Sequence, residues 1–359
     1  MAFGISRRRK GGIRAGGMTD SKPVLEVENL SVDIAVPAGT LHAVTEVSLH
    51  VDQGETLCIV GESGCGKSIT SLAIMNLLPG SATRTADKLD LQGSDLLSLS
   101  ERGMARLRGD RMGMIFQDPM TSLNPVYRIG EQLEEVYLQH SKGNRKEARE
   151  RASYLLDKVG IIAPNERLSQ YPHQLSGGLR QRMMIAMTLM CDPILVIADE
   201  PTTALDVTMQ AQTLSLLKSL QFEFNMGLIL ITHDLGVVAR MADRVMVMYA
   251  GRSVETGSSE EVFGRPTHPY TQGLIRCIPV PGQSSPDGRL GSIKGIVPAL
   301  VGDLDGCLFR NRCEYVSDAC LSGEIPFHQM GEGRGYRCHL DQETCAQIYE
   351  NSLAREPAA

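Results

Sequence analysis

No apolar run in this 359-residue chain approaches the roughly 18 consecutive residues that a membrane-crossing helix needs. Any membrane association must therefore come through partners. The basic opening, Arg7-Arg8-Arg9-Lys10, is followed by no apolar stretch, which argues against a secretory signal and predicts a cytoplasmic chain. Positive charge is not in excess either. The formal net charge is −6, with both signs mixed, which is not the footprint of a nucleic-acid binder. There is no internal repeat and no heptad run.

What is there supports a folded protein. Apolar residues make up 42% of the chain, enough to bury a full core, so a disordered chain is a poor reading. The length suits one large α/β domain plus a smaller unit. Residues 1–21 read as a solvated, disordered start, with attraction to anionic lipid or nucleic acid as the alternative. Met18 is a candidate initiator, because regular pattern begins only after it.

Residues 24–60 read as short strands with turns. Val24-Leu25-Glu26-Val27 opens the pattern, and 44–51 alternates apolar with polar, as a half-buried strand does. After the turn Asp52-Gln53-Gly54-Glu55, the run Thr56-Leu57-Cys58-Ile59-Val60 is a buried strand entering a glycine-rich loop. A helix is predicted over 68–78. Strand signal fades over about 118–178, where 129–140 and 146–159 read as helices around the polar Ser141-Lys142-Gly143-Asn144. Strands return at 194–198 and 227–231, then as a pair, 244–249 and 252–256, turning at Ala250-Gly251. After Phe263 the composition shifts toward Pro, Gly and Cys, which places a boundary near residue 265.

The loop Gly61-Glu62-Ser63-Gly64-Cys65-Gly66-Lys67-Ser68 fits G-x-x-x-x-G-K-[ST]. Glycines let backbone N–H groups turn inward and ring phosphate oxygens without a Cβ in the way. The helix that follows adds its positive N-terminal end. Lys67 supplies a mobile charge to the β- and γ-phosphates, and the Ser68 hydroxyl is a hard oxygen ligand for Mg²⁺. Gly61, Ser63, Gly64, Cys65, Gly66, Lys67, Ser68 and Ile69 are the candidate phosphate-site residues. The strand before and the helix after argue against a chance glycine turn. Cys65 is read as filling a variable slot rather than as a redox residue.

The strand at 194–198 delivers Asp199-Glu200 at its end. Two acids there are costly unless they have work or partners. Asp199 is expected to hold Mg²⁺ through water and Glu200 to polarise an attacking water. Exposed turn acids before Pro201 are the alternative, weakened by the nearby phosphate loop.

Between these sites stands Leu175-Ser176-Gly177-Gly178-Leu179-Arg180-Gln181-Arg182, which resembles the signature motif of ABC ATPases. Gln117 resembles their Q-loop glutamine, Ala204-Leu205-Asp206 their D-loop, and His233 their switch histidine. These motifs stand in the family's order, and the resemblance covers about 24–265. It implies a P-loop NTPase (RecA-like) α/β core with an antiparallel β subdomain and a helical insertion at about 118–178, the whole cassette spanning 22–265. Glu200, His233 and Gln117 are implied as catalytic residues, with Ser68, Gln117 and Asp199 around Mg²⁺. Ser176, Gly177, Gly178, Gln181 and Asp206 are implied to act on ATP held by a second ATPase subunit, so that neither subunit alone completes a site. One departure concerns adenine. The family usually stacks an aromatic on it, and no aromatic stands between Phe3 and Phe116. His42 or an apolar residue within 37–44 is the expected substitute.

Longer motifs narrow the resemblance. Phe116-Gln117-Asp118-Pro119-Met120-Thr121-Ser122-Leu123-Asn124-Pro125, Val247-Met248-Tyr249-Ala250-Gly251-Arg252 and His268-Pro269-Tyr270-Thr271 are similar to the dipeptide and oligopeptide importers, a subfamily that also handles nickel, glutathione and opine-type solutes. It implies a paired ATPase subunit, identical or related, two transmembrane permease subunits, an extracytoplasmic binding protein, and a place on the cytoplasmic face of the membrane. The competing readings are a soluble ABC protein of translation or DNA repair and an exporter ATPase. The single cassette and the importer motifs disfavour them.

The chain holds nine cysteines. Cys58, Cys65, Cys191 and Cys277 are scattered, whereas Cys307, Cys313, Cys320, Cys338 and Cys345 crowd near the end. Such a cytosolic cluster favours metal binding over disulfides. Four thiols can hold an iron–sulfur cluster or a tetrahedral zinc, yet the spacing shows neither C-x2-C pairs nor a ferredoxin run. The importer resemblance implies a [4Fe–4S] cluster on Cys307, Cys313, Cys320 and Cys338, with Zn²⁺ or unligated thiols as the alternatives. His339 and Cys345 are read as bystanders. The extension is placed at 266–345 and a tail at 346–359.

Overall fold

The computed structural model describes residues 23–118, 122–203, 206–278, 293–302 and 304–355. The expectations for 1–21, for Pro119, Met120 and Thr121, and for Ala204 and Leu205 lie outside them.

The chain opens with a long antiparallel hairpin, β1 (Leu25–Val36) and β2 (Gly39–Val51). β2 begins five residues before the alternation becomes legible, because its first residues are exposed or only half-buried. β3 (Thr56–Val60) is buried throughout and leads through the glycine loop into α1 (Lys67–Met75). That helix stops three residues short of the expected end. Asn76 turns left-handed, φ 54°, and donates its N–H to the carbonyls of Ala73 and Leu72, a C-terminal cap that ends the helix.

Elements with little sequence signal follow: β4 (Ala82–Thr85), β5 (Lys88–Leu91), β6 (Ser94–Asp95), α2 (Glu101–Leu107) and β7 (Met112–Ile115). A helical layer comes next, with α3 (Ile129–His140), α4 (Arg145–Lys158), α5 (Pro164–Arg167) and α6 (Gly177–Thr188). Asn144 fixes the start of α4, where its side chain accepts from the N–H groups of Lys146 and Glu147 while Glu147 reaches back to the Asn144 N–H.

The second half alternates strand and helix. It runs β8 (Leu195–Asp199), α7 (Val207–Phe224), β9 (Gly227–Thr232), α8 (Leu235–Met241), β10 (Arg244–Tyr249), β11 (Arg252–Ser258), α9 (Ser259–Gly264) and α10 (Pro269–Arg276). The chain closes with β12 (Phe327–Gly331), β13 (Arg334–Arg337) and α11 (Gln342–Arg355).

Two sheets result. β2-β1-β5-β6, with β4 on β1, is antiparallel. The larger sheet runs β12-β13-β11-β10-β3-β9-β8-β7. From β10 to β7 every pairing is parallel, and β11, β13 and β12 add on antiparallel. The parallel strands alternate their side chains between two cores, as a pleat with both faces covered requires. Leu57, Ile59, Ile197 and Ile231 join the core under the antiparallel sheet. Cys58, Val60, Val196 and Leu230 join the core under the helices.

Contacts cross the expected boundary near residue 265. β13 pairs directly with β11. Phe309 packs edge-on against Tyr249 and Tyr270, at 5.2 and 5.5 Å between ring centroids. Among the described residues, no helix is long and apolar enough to cross a membrane.

Candidate nucleotide site

Four neighbouring parallel strands, β3, β9, β8 and β7, end at the same edge of the larger sheet. In an open α/β sheet, ligands bind beyond the carboxyl ends of the strands. β3 runs into the loop 61–68. β8 ends on Asp199 and passes to Glu200. β9 ends one residue before His233. β7 ends two residues before Gln117. Topology alone thus brings together residues separated by more than a hundred positions.

The loop is sterically specified. Gly66 sits at φ 99°, and a Cβ there would stand 2.6 Å from the Ala43 carbonyl oxygen. A Cβ on Gly61 would stand 2.2 Å from the Met248 carbonyl oxygen and 2.7 Å from Cys65 Sγ. Cys65 is buried, and burial raises its thiol pKa, opposed by the charge of Lys67. A buried, protonated thiol packed under the loop agrees with a filling role. Ser63 and Gly64 are exposed at the tip, and Ile69 is half-buried on α1.

Lys67 is only 5% exposed, and its Nζ donates to the carbonyls of Gly61 and Glu62, each at 2.9 Å. Ser68 Oγ donates to Asp199 Oδ1 at 2.9 Å. Burial raises the Asp199 pKa, the Ser68 hydrogen bond opposes this, and the Glu200 charge adds to it. Ser68 and Asp199 form a hard oxygen pair of the kind Mg²⁺ takes, with the Gln117 amide beyond.

Glu200 gathers the rest. Its Oε1 lies 3.2 Å from His233 Nδ1, and its Oε2 accepts from Gln117 Nε2 at 3.1 Å and from Thr203 Oγ1 at 2.8 Å. Burial pushes its pKa up, but the Thr203 and His233 hydrogen bonds and the Lys67 charge outweigh it, and the net shift is downward. The carboxylate is therefore held ionised, as an acceptor of a water proton must be. Glu200 adopts φ 45°, fixed by its N–H donating to the Ile231 carbonyl at 3.0 Å. A non-glycine residue in that region costs about 1–2 kcal/mol, and such strain clusters at functional sites.

The signature residues stand elsewhere, on the helical layer. Ser176 is exposed and caps α6, its Oγ accepting from the Leu179 N–H at 3.4 Å. Gly177 is exposed and Gly178 half-buried in the first turn. Gln181 points inward instead. It is 1% exposed, and its Nε2 donates to the Pro201 carbonyl at 2.7 Å, tying α6 to the segment after Glu200. Asp206 caps α7, accepting from the N–H groups of Thr208 and Met209.

At the expected adenine end, His42 Nδ1 lies 2.7 Å from Asp33 Oδ1, a contact in the ring plane that leaves the ring faces open. The neighbouring Leu41 pairs with Val301 as an isolated antiparallel bridge. That pairing was not legible in the sequence. Neither was Thr203, which directs Glu200.

Cys320 and Cys338 are buried and Cys307 and Cys313 half-buried. Burial raises the Cys307 thiol, and the Cys320 and Cys338 thiols add to that rise. Burial pushes Cys313 up to about 11, with Cys307, Cys338 and Cys320 contributing. Backbone N–H groups of Tyr315 and Leu340 point at the sulfurs of Cys313 and Cys338, each at 3.4 Å. Among the described residues, however, no group of three or more His, Cys, Asp or Glu side chains is close enough to hold a metal ion. Cys345, read as a bystander, is fully buried, and its thiol beside Cys338 pulls the Cys338 pKa down.

Residues 44–203 match the family profile described as "ABC transporter", and 254–320 match "Oligopeptide/dipeptide transporter, C-terminal region". The dipeptide transport ATP-binding protein DppD of Escherichia coli (strain K12) is 49% identical over 316 residues, spanning 88% of this chain and 96% of that protein. The oligopeptide transport ATP-binding protein AppD of Bacillus subtilis (strain 168) is 47% identical over 326 residues, spanning 90% and 98%. Among solved structures, the dimeric post-hydrolysis state of the ATP-binding cassette MJ0796 bound to ADP and Pi aligns with TM-score 0.59 at 26% identity, covering 66% of this chain and 98% of that one. CbiO1 of Clostridium perfringens aligns with TM-score 0.58 at 28% identity, covering 68% and 92%. With a phosphate loop, a strand-end acid pair and a signature helix on a cassette fold, this chain belongs to the ABC transporter family, among the ATP-binding proteins of its dipeptide and oligopeptide branch.

Proposed function

We propose that this chain is the ATPase subunit that powers import of di- or oligopeptides or related small solutes. The observation that carries this reading is the convergence of Gln117, Asp199-Glu200, His233 and the 61–68 loop at one edge of four neighbouring parallel strands. ATP binds with its phosphates against the loop amides and Lys67. Ser68, Asp199 and Gln117 would hold Mg²⁺, which would supply positive charge against the phosphates. Glu200 orients the attacking water and accepts its proton, and His233 steadies that carboxylate and meets the γ-phosphate. Because Ser176 is exposed at a helix N-terminus, it suits a phosphate on a second ATPase subunit, joined there by Gly177, Gly178 and Asp206. ATP therefore closes two subunits and hydrolysis releases them. The dimeric MJ0796 cassettes support this reading.

The partners follow from the branch. They are two permease subunits that receive the closure, an extracytoplasmic binding protein that delivers the solute, and an identical or related ATPase. The chain works as a peripheral subunit on the cytoplasmic face. We further propose that residues 22–265 form the cassette and 266–345 an extension in which Cys307, Cys313, Cys320 and Cys338 hold a [4Fe–4S] cluster. The amide–sulfur hydrogen bonds at Cys313 and Cys338 support that part, and Zn²⁺ is the competing occupant.

The test is purification of the complex from membranes. Permease subunits should copurify, and ATP turnover should vanish on Lys67→Ala. Failure of permease subunits to copurify, or turnover unaffected by Lys67→Ala, overturns the reading. A brown chain whose visible absorption is lost in Cys313→Ser supports the cluster. A colourless anaerobic preparation carrying zinc defeats it.

A further inference from the structure

The second residue of the phosphate loop, Glu62, is held from outside the cassette core. Arg312 Nη1 donates to Glu62 Oε2 at 2.7 Å and Nη2 to Glu62 Oε1 at 2.9 Å, a two-pronged ion pair across 250 positions of sequence. The Arg312 side chain is 4% exposed. Its Nε donates to the Lys294 carbonyl at 2.9 Å, and its guanidinium lies over the Tyr249 ring, 5.7 Å from the centroid. The fork is therefore fixed on both sides before it meets the carboxylate. Planar, two-pronged pairing sets geometry as well as energy.

Glu62 passes that constraint to the loop. Its N–H donates to Tyr270 Oη at 3.0 Å, and its carbonyl accepts from Lys67 Nζ at 2.9 Å. Both peptide groups of Glu62 are thus aimed, one at the extension and one at the catalytic lysine. The same extension pairs with β2 where the adenine end is expected, the His42 N–H donating to the Leu300 carbonyl at 2.8 Å and the Gly302 N–H to the Thr40 carbonyl at 3.1 Å.

We propose that Arg312 is a positioning residue for ATP binding, by which the C-terminal extension presets the leading half of the phosphate loop through Glu62. A loop already set in its bound shape pays less ordering entropy when phosphate arrives. The inference rests on the ATPase reading above. It assigns to the extension a role in nucleotide affinity that the cassette motifs do not contain.

The experiment measures equilibrium binding of Mg·ATP to the full-length chain, and steady-state kinetics of the complex with its membrane subunits. Arg312→Gln and Glu62→Gln should each weaken binding roughly tenfold, the effect of losing a preset loop. The double variant should lose no more than either single one, because both remove the same contact. KM for ATP should rise while kcat at saturation changes little, a split that general loss of stability does not produce. The swapped pair Glu62→Arg with Arg312→Glu should recover part of the affinity. Glu62→Gln carries the test if Arg312→Gln does not fold. Unchanged affinity in the folded single variants, or losses that simply add in the double variant, overturns the proposal. Lys67→Ala separates the two readings. If it too binds ATP like the parent chain, the ATPase reading fails rather than the role of Arg312.

Discussion

Glu200 Oε1 stands 3.2 Å from His233 Nδ1, joining the ends of two adjacent strands through a single carboxylate. The other oxygen of Glu200 is shared by Gln117 and Thr203. All three partners aim the carboxylate, which under the proposed function aims the water. Glu200→Gln keeps the shape and the hydrogen-bonding reach but cannot take a proton. We expect turnover to fall on the order of 10²-fold or more. ATP binding should persist and hold two subunits closed. Single-turnover hydrolysis and size-exclusion in ATP check this, and normal turnover in the variant would count against the assigned role.

Lys67 spends its charge on two loop carbonyls and lies beside the buried Cys65 sulfur. Lys67→Ala removes the only side-chain cation within the loop itself. Affinity for Mg·ATP should drop at least about tenfold, the scale of a charge-assisted phosphate contact. Titration with a fluorescent ATP analogue reads the change, and thermal denaturation without nucleotide shows that the fold survives.

Gly66→Ala tests the loop by shape alone. Its φ of 99° and the 2.6 Å approach to the Ala43 carbonyl leave no room for a methyl group. The variant should lose about 1–3 kcal/mol of stability through backbone strain. It should also bind ATP weakly, because relief of the clash moves the amides that ring the phosphates. Denaturant unfolding and ATP titration on one preparation separate the two losses.

At the junction between cassette and extension, two buried groups oppose one another in their dependence on pH. Burial pushes Glu255 up to about 7, against hydrogen bonds from the Thr267 and His268 N–H groups. Burial pushes His268 down to about 3. Between its unfolded value of 4.5 and about 7, Glu255 is protonated in the folded state and ionised in the unfolded state. Its contribution therefore falls as pH rises. Between about 3 and its unfolded value of 6.5, His268 is neutral when folded and charged when unfolded, so its contribution rises with pH. Over the shared window, pH 4.5–6.5, the two slopes cancel. Glu255→Gln should unmask the histidine, and stability should then climb with pH by up to ~1.4 kcal/mol per unit. His268→Gln should do the reverse. Denaturant midpoints at several pH values measure both, and a flat profile in Glu255→Gln would refute the assignment.

The loop 61–68, the acids at 199 and 200, and the histidine at 233 were legible because each stands at the end of a short, mostly apolar strand. The helices at 129–140 and 145–158 were legible from their period and their polar break. β7 was not, although it delivers Gln117, because its run Met112-Gly113-Met114-Ile115 has four residues and no β-branched alternation. Gln181 was assigned with the signature residues by resemblance, but its side chain turns inward to Pro201.

Sequence alone picks out the candidate phosphate-site residues and the order in which they occur. Those features are local: glycines at a fixed spacing, a lysine beside them, an acid at a strand end. Tertiary structure alone decided that β13 completes the sheet beside β11, that Glu200 takes a left-handed backbone, and that Arg312 grips Glu62. Such pairings join residues tens to hundreds of positions apart, and no periodicity along the chain encodes a partner that far away. They exist only once the parallel strands have packed and the extension has folded back onto them.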